Sequence, residues 1–134
     1  MSQENVEIAR QAWKAYAERG VDGAVVFYSE DCVIEDFPEM PDRAAAYHGP
    51  QGFRERDRNF REIWTDFVIE PVEYINAGDD AVVVVSAMSG AGDSSGAPLD
   101  GIAAFAWEIR NGKIVRDRAF MWKQAALKAA GQAG

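Results

Sequence analysis

The sequence predicts an α+β domain in which a curved, mostly antiparallel sheet folds over three helices from the N-terminal half, with a short helix at the C-terminal end. Three observations predict it. Apolar residues recur at helical spacing up to Phe67, with one short strand-like interruption. Beyond Phe67 the β-branched and aromatic residues rise, and turn signals divide the rest of the chain into short segments. A chain of 134 residues is also the length of one ordinary domain, residues 1–134, large enough for a real core and too short for two.

Ser2 precedes a pattern in which Val6, Ala9, Trp13, Tyr16 and Ala17 share one helical face, so Ser2 reads as an N-cap, with Glu4 favourable in the first turn. That helix is expected to end near Arg19-Gly20. A second, shorter helix starts at Asp22, with Ala24, Phe27 and Tyr28 at helical spacing. It delivers the chain to the stretch YSEDCVIEDFP, Tyr28 to Pro38, where a polar break precedes a short strand. Alternation places Cys32, Ile34 and Asp36 on one face and Val33, Glu35 and Phe37 on the other. Asp36 is then either a carboxylate in apolar surroundings, where burial favours the proton-carrying form, or an acceptor for backbone N–H groups in the turn before Pro38. The residues alone favour the turn.

From Pro38 to Gly49 no period is visible, which predicts a loop or irregular lid. Gly49-Pro50 opens a third helix whose stripe is Phe53, Phe60, Ile63, Trp64 and Phe67, while Arg54, Glu55, Arg58, Arg61 and Glu62 lie mostly on a solvated face. Turn signals at Gly78-Asp79-Asp80, across Ser89 to Pro98 and at Asn111-Gly112 imply four consecutive antiparallel strands. The first, Val68 to Ala77, contains Pro71 and belongs on an edge or at a bulge. Ala81 to Met88 is apolar almost throughout and should be central. Leu99 to Ile109 and Ile114 to Trp122 meet at Asn111-Gly112, which suits a tight hairpin. Gly90 to Gly96 reads as a mobile hairpin loop, and a last helix runs from Lys123 to Ala130 and stops at Gly131.

The net charge of -8 argues against a nucleic-acid surface, since phosphate binding rests on clustered Lys and Arg. One cysteine excludes an internal disulfide, and with one histidine a nitrogen-and-sulfur metal site is excluded as well. No leader or long apolar segment is read, so no membrane partner is expected and the simplest location is the cytoplasm. Chemistry, if any, would run without a cofactor, on carboxylates, hydroxyls or His48.

The order of elements, together with YSEDCVIEDFP, the YHGPQGF helix opening and the WEIRNGKIVRDRAF hairpin, resembles the nuclear transport factor 2-like superfamily. Within it the chain is most similar to SnoaL-like proteins, relatives of polyketide cyclases and ketosteroid isomerases. The resemblance covers nearly the whole chain. It implies a cone-shaped α+β barrel around an apolar pocket, a homodimer, and a pocket aspartate that moves a proton next to a carbonyl. Asp36 matches the aspartate that serves the isomerases as base. The two isomerase groups that hold the enolate oxygen are replaced by Trp13 and Phe105, which removes the usual oxyanion donors and argues against steroid isomerisation. On the last strand the resemblance turns Asp117, Ala119 and Met121 inward, and Asp117 becomes a second pocket acid of the cyclase type.

Each of these residues has an alternative. Asp117 could face outward and pair across the sheet. Tyr16 could stand in for the missing oxyanion tyrosine or simply pack with its hydroxyl satisfied. His48 could shuttle a proton at the cone mouth or cap the helix in solvent. Trp13, Trp64, Trp107 and Trp122 could line an aromatic pocket or serve as core. Trp13, Tyr16, Phe53, Phe60, Trp64, Phe105 and Met121 are accordingly the candidate ligand contacts. A cofactor-independent isomerase, cyclase or hydratase working through Asp36, and a non-catalytic binding or dimerisation module, both fit. An apolar, ring-containing ligand is expected in either case. The homodimer is expected through the outer sheet face, where the last strand and Ala81 to Met88 offer more apolar residues than one helical layer covers.

Overall fold

A computed structural model describes residues 2–38, 46–92 and 98–131. In chain order the elements are α1 (Ser2–Ala24), a 3-10 turn (Val25–Phe27), β1 (Tyr28–Glu35), β2 (Tyr47–His48), α2 (Gly49–Ile63), β3 (Trp64–Asn76), β4 (Ala81–Gly92), β5 (Pro98–Arg110), β6 (Lys113–Phe120) and α3 (Lys123–Gly131). The strands make one open mixed sheet in the order β2-β1-β6-β5-β4-β3. Strands β3 to β6 form the expected antiparallel meander, whereas β1 enters parallel to β6 and sets Ile34 beside Asp117. The sheet stays open where the resemblance implied a barrel. Its edges are β3 and a β2 of only two residues, too short to reach across.

The two faces of the sheet carry different layers. Inward, Val82, Val84, Phe105, Trp107, Ile109 and Ile34 pack against Val6, Ala9, Ala12 and Trp13 of α1 and Phe53 of α2. Outward, Val83, Val85, Ala104 and Ala106 pack against Ala126 and Ala130 of α3. The surplus that β4 was expected to leave for a partner is therefore covered in part by the chain's own last helix. Asn5, buried near the start of α1, donates to the Asp79 carbonyl at 3.0 Å and ties that helix to the β3–β4 turn.

Helical geometry runs on past the expected end of the first helix, with the break confined to Gly20, whose φ of 66° and ψ of -151° suit glycine alone. The bend folds the last turn back so closely that a Cβ on Gly23 would stand 2.6 Å from the Ala15 carbonyl oxygen. The second expected helix is thus the continuation of α1 plus the 3-10 turn. Helix α2 also departs from expectation, because it stops at Ile63 and Trp64 to Phe67 belong to β3. Asp66 takes φ 54° there and the register with β4 slips between Thr65 and Val68, so Phe67 turns inward from a strand.

Pro71 sits on an edge strand beside a second register slip, where a missing N–H costs no ladder bond. Asn111 and Gly112 take φ of 51° and 78°, the two positive values that a tight hairpin turn requires. The expected lid, Pro38 to Gly49, contains the strand β2, and the expected loop, Gly90 to Gly96, begins within β4, which runs on to Gly92; the rest of both expectations, at 39–45 and 93–96, lies outside the described residues. Among the described residues no helix is long and apolar enough to cross a membrane.

Gly20→Ala should destabilise the domain by about 1–3 kcal/mol, since a side chain there must hold a backbone conformation it rarely adopts. Urea denaturation measures the loss. A variant as stable as the parent would show that α1 does not bend as described.

Candidate functional site

Helix α2 carries the arginine around which the site is built. Arg56 lies three residues after Phe53 and four before Phe60, so helical spacing puts it on the apolar stripe and not on the solvated side. Its side chain is 8% exposed and meets Asp117, which is fully buried on the inward face of β6. The pair is bidentate: Nη1 donates to Oδ1 at 3.0 Å and Nη2 to Oδ2 at 2.9 Å. Tyr28, at the start of β1, donates its hydroxyl to the same Oδ2 at 2.6 Å. The guanidinium also lies 5.7 Å from the Phe53 ring and 5.6 Å from the Phe105 ring, and Phe53 stacks on Tyr28 at 4.3 Å.

This environment sets the protonation of its members. Burial alone would make Arg56 easier to deprotonate, but the Asp117 charge outweighs it and holds the guanidinium charged. Burial, and then Asp117, push the Tyr28 hydroxyl well up, so Tyr28 stays a donor. The same two causes raise the Cys32 thiol to about 11, which leaves it inert at neutral pH.

One helical position on, Asp57 turns toward α1. It accepts the Tyr16 hydroxyl at 2.5 Å and Arg61 Nε at 3.0 Å, and Arg61 Nη2 donates back to the Tyr16 oxygen at 2.7 Å. Burial, then Asp57, push the Tyr16 hydroxyl up. Arg61 is half exposed and lies over the Tyr16 and Phe67 rings, at 5.9 and 5.8 Å.

Between these two polar groups lies a cavity of ≈ 50 Å³. Trp13 and Tyr16 of α1, Phe53 and Phe60 of α2, and Tyr28, Phe67, Phe105 and Trp107 of the sheet line it, with Arg56 and Asp57 as the charged members. A larger hollow of ≈ 290 Å³ opens near the β3–β4 turn, by Asp80, Glu108, Arg110 and Arg118. Among the described residues Trp107 is the single aromatic one in its lining, and its Arg110 already pairs with Glu108 and Asp80. The inner cavity is therefore the candidate site.

Five of the expected ligand contacts, Trp13, Tyr16, Phe53, Phe60 and Phe105, stand in the cavity wall; Trp64 and Met121 do not. Trp64 begins β3 instead of ending α2, and Met121 follows the last residue of β6 and is exposed. Trp122 is exposed too, while Trp107 is part of the wall. Asp117 faces inward, as the resemblance implied, but behind the wall and neutralised by Arg56 instead of free beside a second acid. Asp36 is half-buried just after β1, where Tyr47 donates to its Oδ2 at 3.1 Å and Asn59 donates to the Tyr47 oxygen at 2.9 Å. Asp36 and Asp117 do not converge in the cavity. His48 is exposed, and its side chain makes no capping bond to α2.

Sequence reasoning missed Arg56, Asp57 and the part played by Tyr28. The signal was present for Arg56, a charge in register with Phe53 and Phe60 and therefore in need of a buried partner. Asp57 carried the same signal, four residues after Phe53 and three before Phe60 with Arg61 one turn on, but that it would meet Tyr16, 41 residues away, was not legible.

A family model for the SnoaL-like domain matches residues 9–117. No curated protein matches the chain. Among solved structures, an NTF2-like protein from Burkholderia thailandensis E264 is 20% identical over 95% of each chain, with a TM-score of 0.78. TerC, co-crystallised with polyporic acid, is 18% identical over 94% of this chain and 97% of its own, with a TM-score of 0.75. A protein of ketosteroid isomerase-like fold from Catenulispora acidiphila DSM 44928, in complex with trimethylamine, is 13% identical over 94% of this chain and 92% of its own, with a TM-score of 0.70. At such identities the likeness is one of fold.

Two expectations arise from the buried pair and its neighbours. Arg56→Leu leaves Asp117 without its counter-charge and should cost about 3–5 kcal/mol, whereas Arg56→Leu with Asp117→Leu should lose less. Chemical denaturation of both variants decides it, and a double variant no more stable than the single one would mean that the charges are not coupled.

The second expectation concerns alkaline pH. Cys32 and Tyr28 titrate higher in the folded chain than in the unfolded one, so the stability they contribute is whole below the unfolded values and lost as pH rises through the folded ones. Urea midpoints should fall between about pH 8.5 and pH 10.5, and Cys32→Ala should flatten part of the fall. A midpoint independent of pH across that window would contradict the burial of these groups.

Proposed function

The chain belongs to the SnoaL-like domain family, and from that premise we propose that it binds a small, apolar, ring-containing molecule in the cavity between α1, α2 and the sheet. The observation that carries this reading is the composition of the wall, in which eight aromatic side chains converge and the two charged ones, Arg56 and Asp57, are already paired within the protein. Flat apolar surface with few polar groups suits a ring. That TerC was crystallised with polyporic acid, and the Catenulispora protein with trimethylamine, supports the use of this fold for small molecules.

A cavity near 50 Å³ is smaller than the roughly 150 Å³ that accepts benzene, so a ring enters only as side chains give way. The side most able to move is the rim of Arg61 and Phe67, where the guanidinium is half exposed. The ligand would thus be gripped by a site that closes around it.

Binding has better support than chemistry through Asp36. An isomerase, cyclase or hydratase working there needs its base against the ligand, and Asp36 lies beyond the wall on Tyr47. Asp57 is the carboxylate that does reach the wall, and any proton transfer on a bound carbonyl compound is better sought at that residue, beside the Tyr16 hydroxyl. The expected homodimer keeps a reduced outer surface, since α3 covers Val83 and Val85 and leaves Val72, Ile102, Met121 and Trp122 exposed.

Neutral one-ring compounds should raise the melting temperature, by an amount equivalent to about 2.7 kcal/mol at a hundredfold excess over Kd. Ala12→Leu, which grows a side chain into the cavity, should abolish the effect, and Asp36→Asn should leave it unchanged. Stabilisation only by phosphorylated or highly charged compounds, or an effect that survives Ala12→Leu, would overturn the reading.

A further inference from the structure

Most of the wall of the inner cavity is out of the reach of water. Of the thirteen described residues that line it, nine are buried, and Tyr16, Asp57, Phe60 and Ile69 are the ones that come part way to the surface. Those four sit where α1, α2 and β3 meet, so the way in from solvent lies there. Arg61 stretches across that point. Its Nε donates to Asp57 Oδ2 and its Nη2 to the Tyr16 oxygen, while the guanidinium stands 5.9 Å from the Tyr16 ring and 5.8 Å from the Phe67 ring. One side chain thus ties together residues of all three elements that border the entrance.

This tie differs from the other charged pair of the wall in what breaking it costs. Arg56 and Asp117 are 8% and 0% exposed, and parting them would leave two charges away from water. Arg61 and Asp57 are 47% and 13% exposed, so a guanidinium that swings outward is rehydrated, and salt screens the pair. Tyr16 keeps its own bond to Asp57 when Arg61 leaves, so the carboxylate is not stranded. The tie also stands in the last turn of α2, beside the slip in register between Thr65 and Val68 that interrupts the ladder holding β3 to β4.

Resting on the ring-binding reading, we propose that Arg61 is an ionic latch across the entrance of the cavity, and that ionic strength regulates passage through it. A ligand enters or leaves only while Arg61 is parted from Asp57 and Tyr16, and the latch closes again behind it. Entry and exit rates are then both set by the fraction of time the latch stands open. The affinity changes less than either rate, because one doorway serves both directions.

Iodobenzene, a neutral ring whose heavy atom quenches the tryptophan fluorescence of the wall, tests this by stopped-flow mixing. In the parent protein kon and koff should both rise about twofold between about 0.05 and about 0.5 M NaCl, as the exposed pair is screened. Arg61→Gln should raise both rates about three- to tenfold at low salt and remove the salt response, and Asp57→Asn should do the same, with the double variant no faster than either single one. Arg58→Gln, which removes an exposed charge from the same helix, should change neither rate. If Arg61→Gln raises koff and leaves kon unchanged, Arg61 is only a contact to the ligand, and the latch is overturned while ring binding stands. Rates in the parent protein that do not respond to salt overturn it as well. If iodobenzene binds neither the parent nor Arg61→Gln, the ring-binding reading falls and the inference with it.

Discussion

A carboxylate with no exposed surface has to be neutralised inside the protein, and the way Asp117 achieves this organises the rest of the domain. Its partners Arg56 and Tyr28 lie 61 and 89 residues away, so the three bonds clamp α2, β1 and β6 to one point. None of these elements can slide by a residue without stranding a charge away from water, a penalty larger than most packing errors. The net contribution to stability is modest, because desolvation offsets much of the attraction. What the pair supplies is a single register.

That register is what builds the cavity wall. With Arg56 held, Phe53 stacks on Tyr28 and the guanidinium spans Phe53 and Phe105, so rings from a helix and two strands face one space. Asp57, the next residue, points another way around the helix and joins Tyr16 and Arg61 at the edge of that space. Two adjacent charges therefore serve different parts of the wall, one sealed by a carboxylate from the sheet and the other paired with Arg61, which is half open to solvent. A third group, Asp36 with Tyr47 and Asn59, lies outside it. The distribution favours a mostly apolar binding site over a pair of cooperating acids.

Much of the architecture could be read from the chain. Alternation and turn residues are local physics, and they located the meander, the bulge at Pro71 and the tight hairpin at Asn111-Gly112. Local physics also misled where two periods overlap: Trp64 and Phe67 continue the spacing of α2 and yet belong to β3, because a positive φ at Asp66 and a slipped register reset the direction of the side chains. Five of the seven aromatic or apolar residues expected around a ligand reached one cavity, since an amphipathic helix and a strand each have one apolar face to bury.

The sequence by itself determined the α+β class, the order of the longer helices and strands and their apolar faces, because these arise from the period of the side chains along the chain. Only the tertiary structure decided which polar residues meet. The parallel entry of β1 beside β6, the pairing of Arg56 with Asp117 and of Tyr16 with Asp57, and the seating of Asp36 on Tyr47 outside the cavity lining all depend on how separate segments pack. No spacing rule encodes such contacts. A buried charge announces that it needs a partner, but which one it finds is settled by the packing of the whole domain.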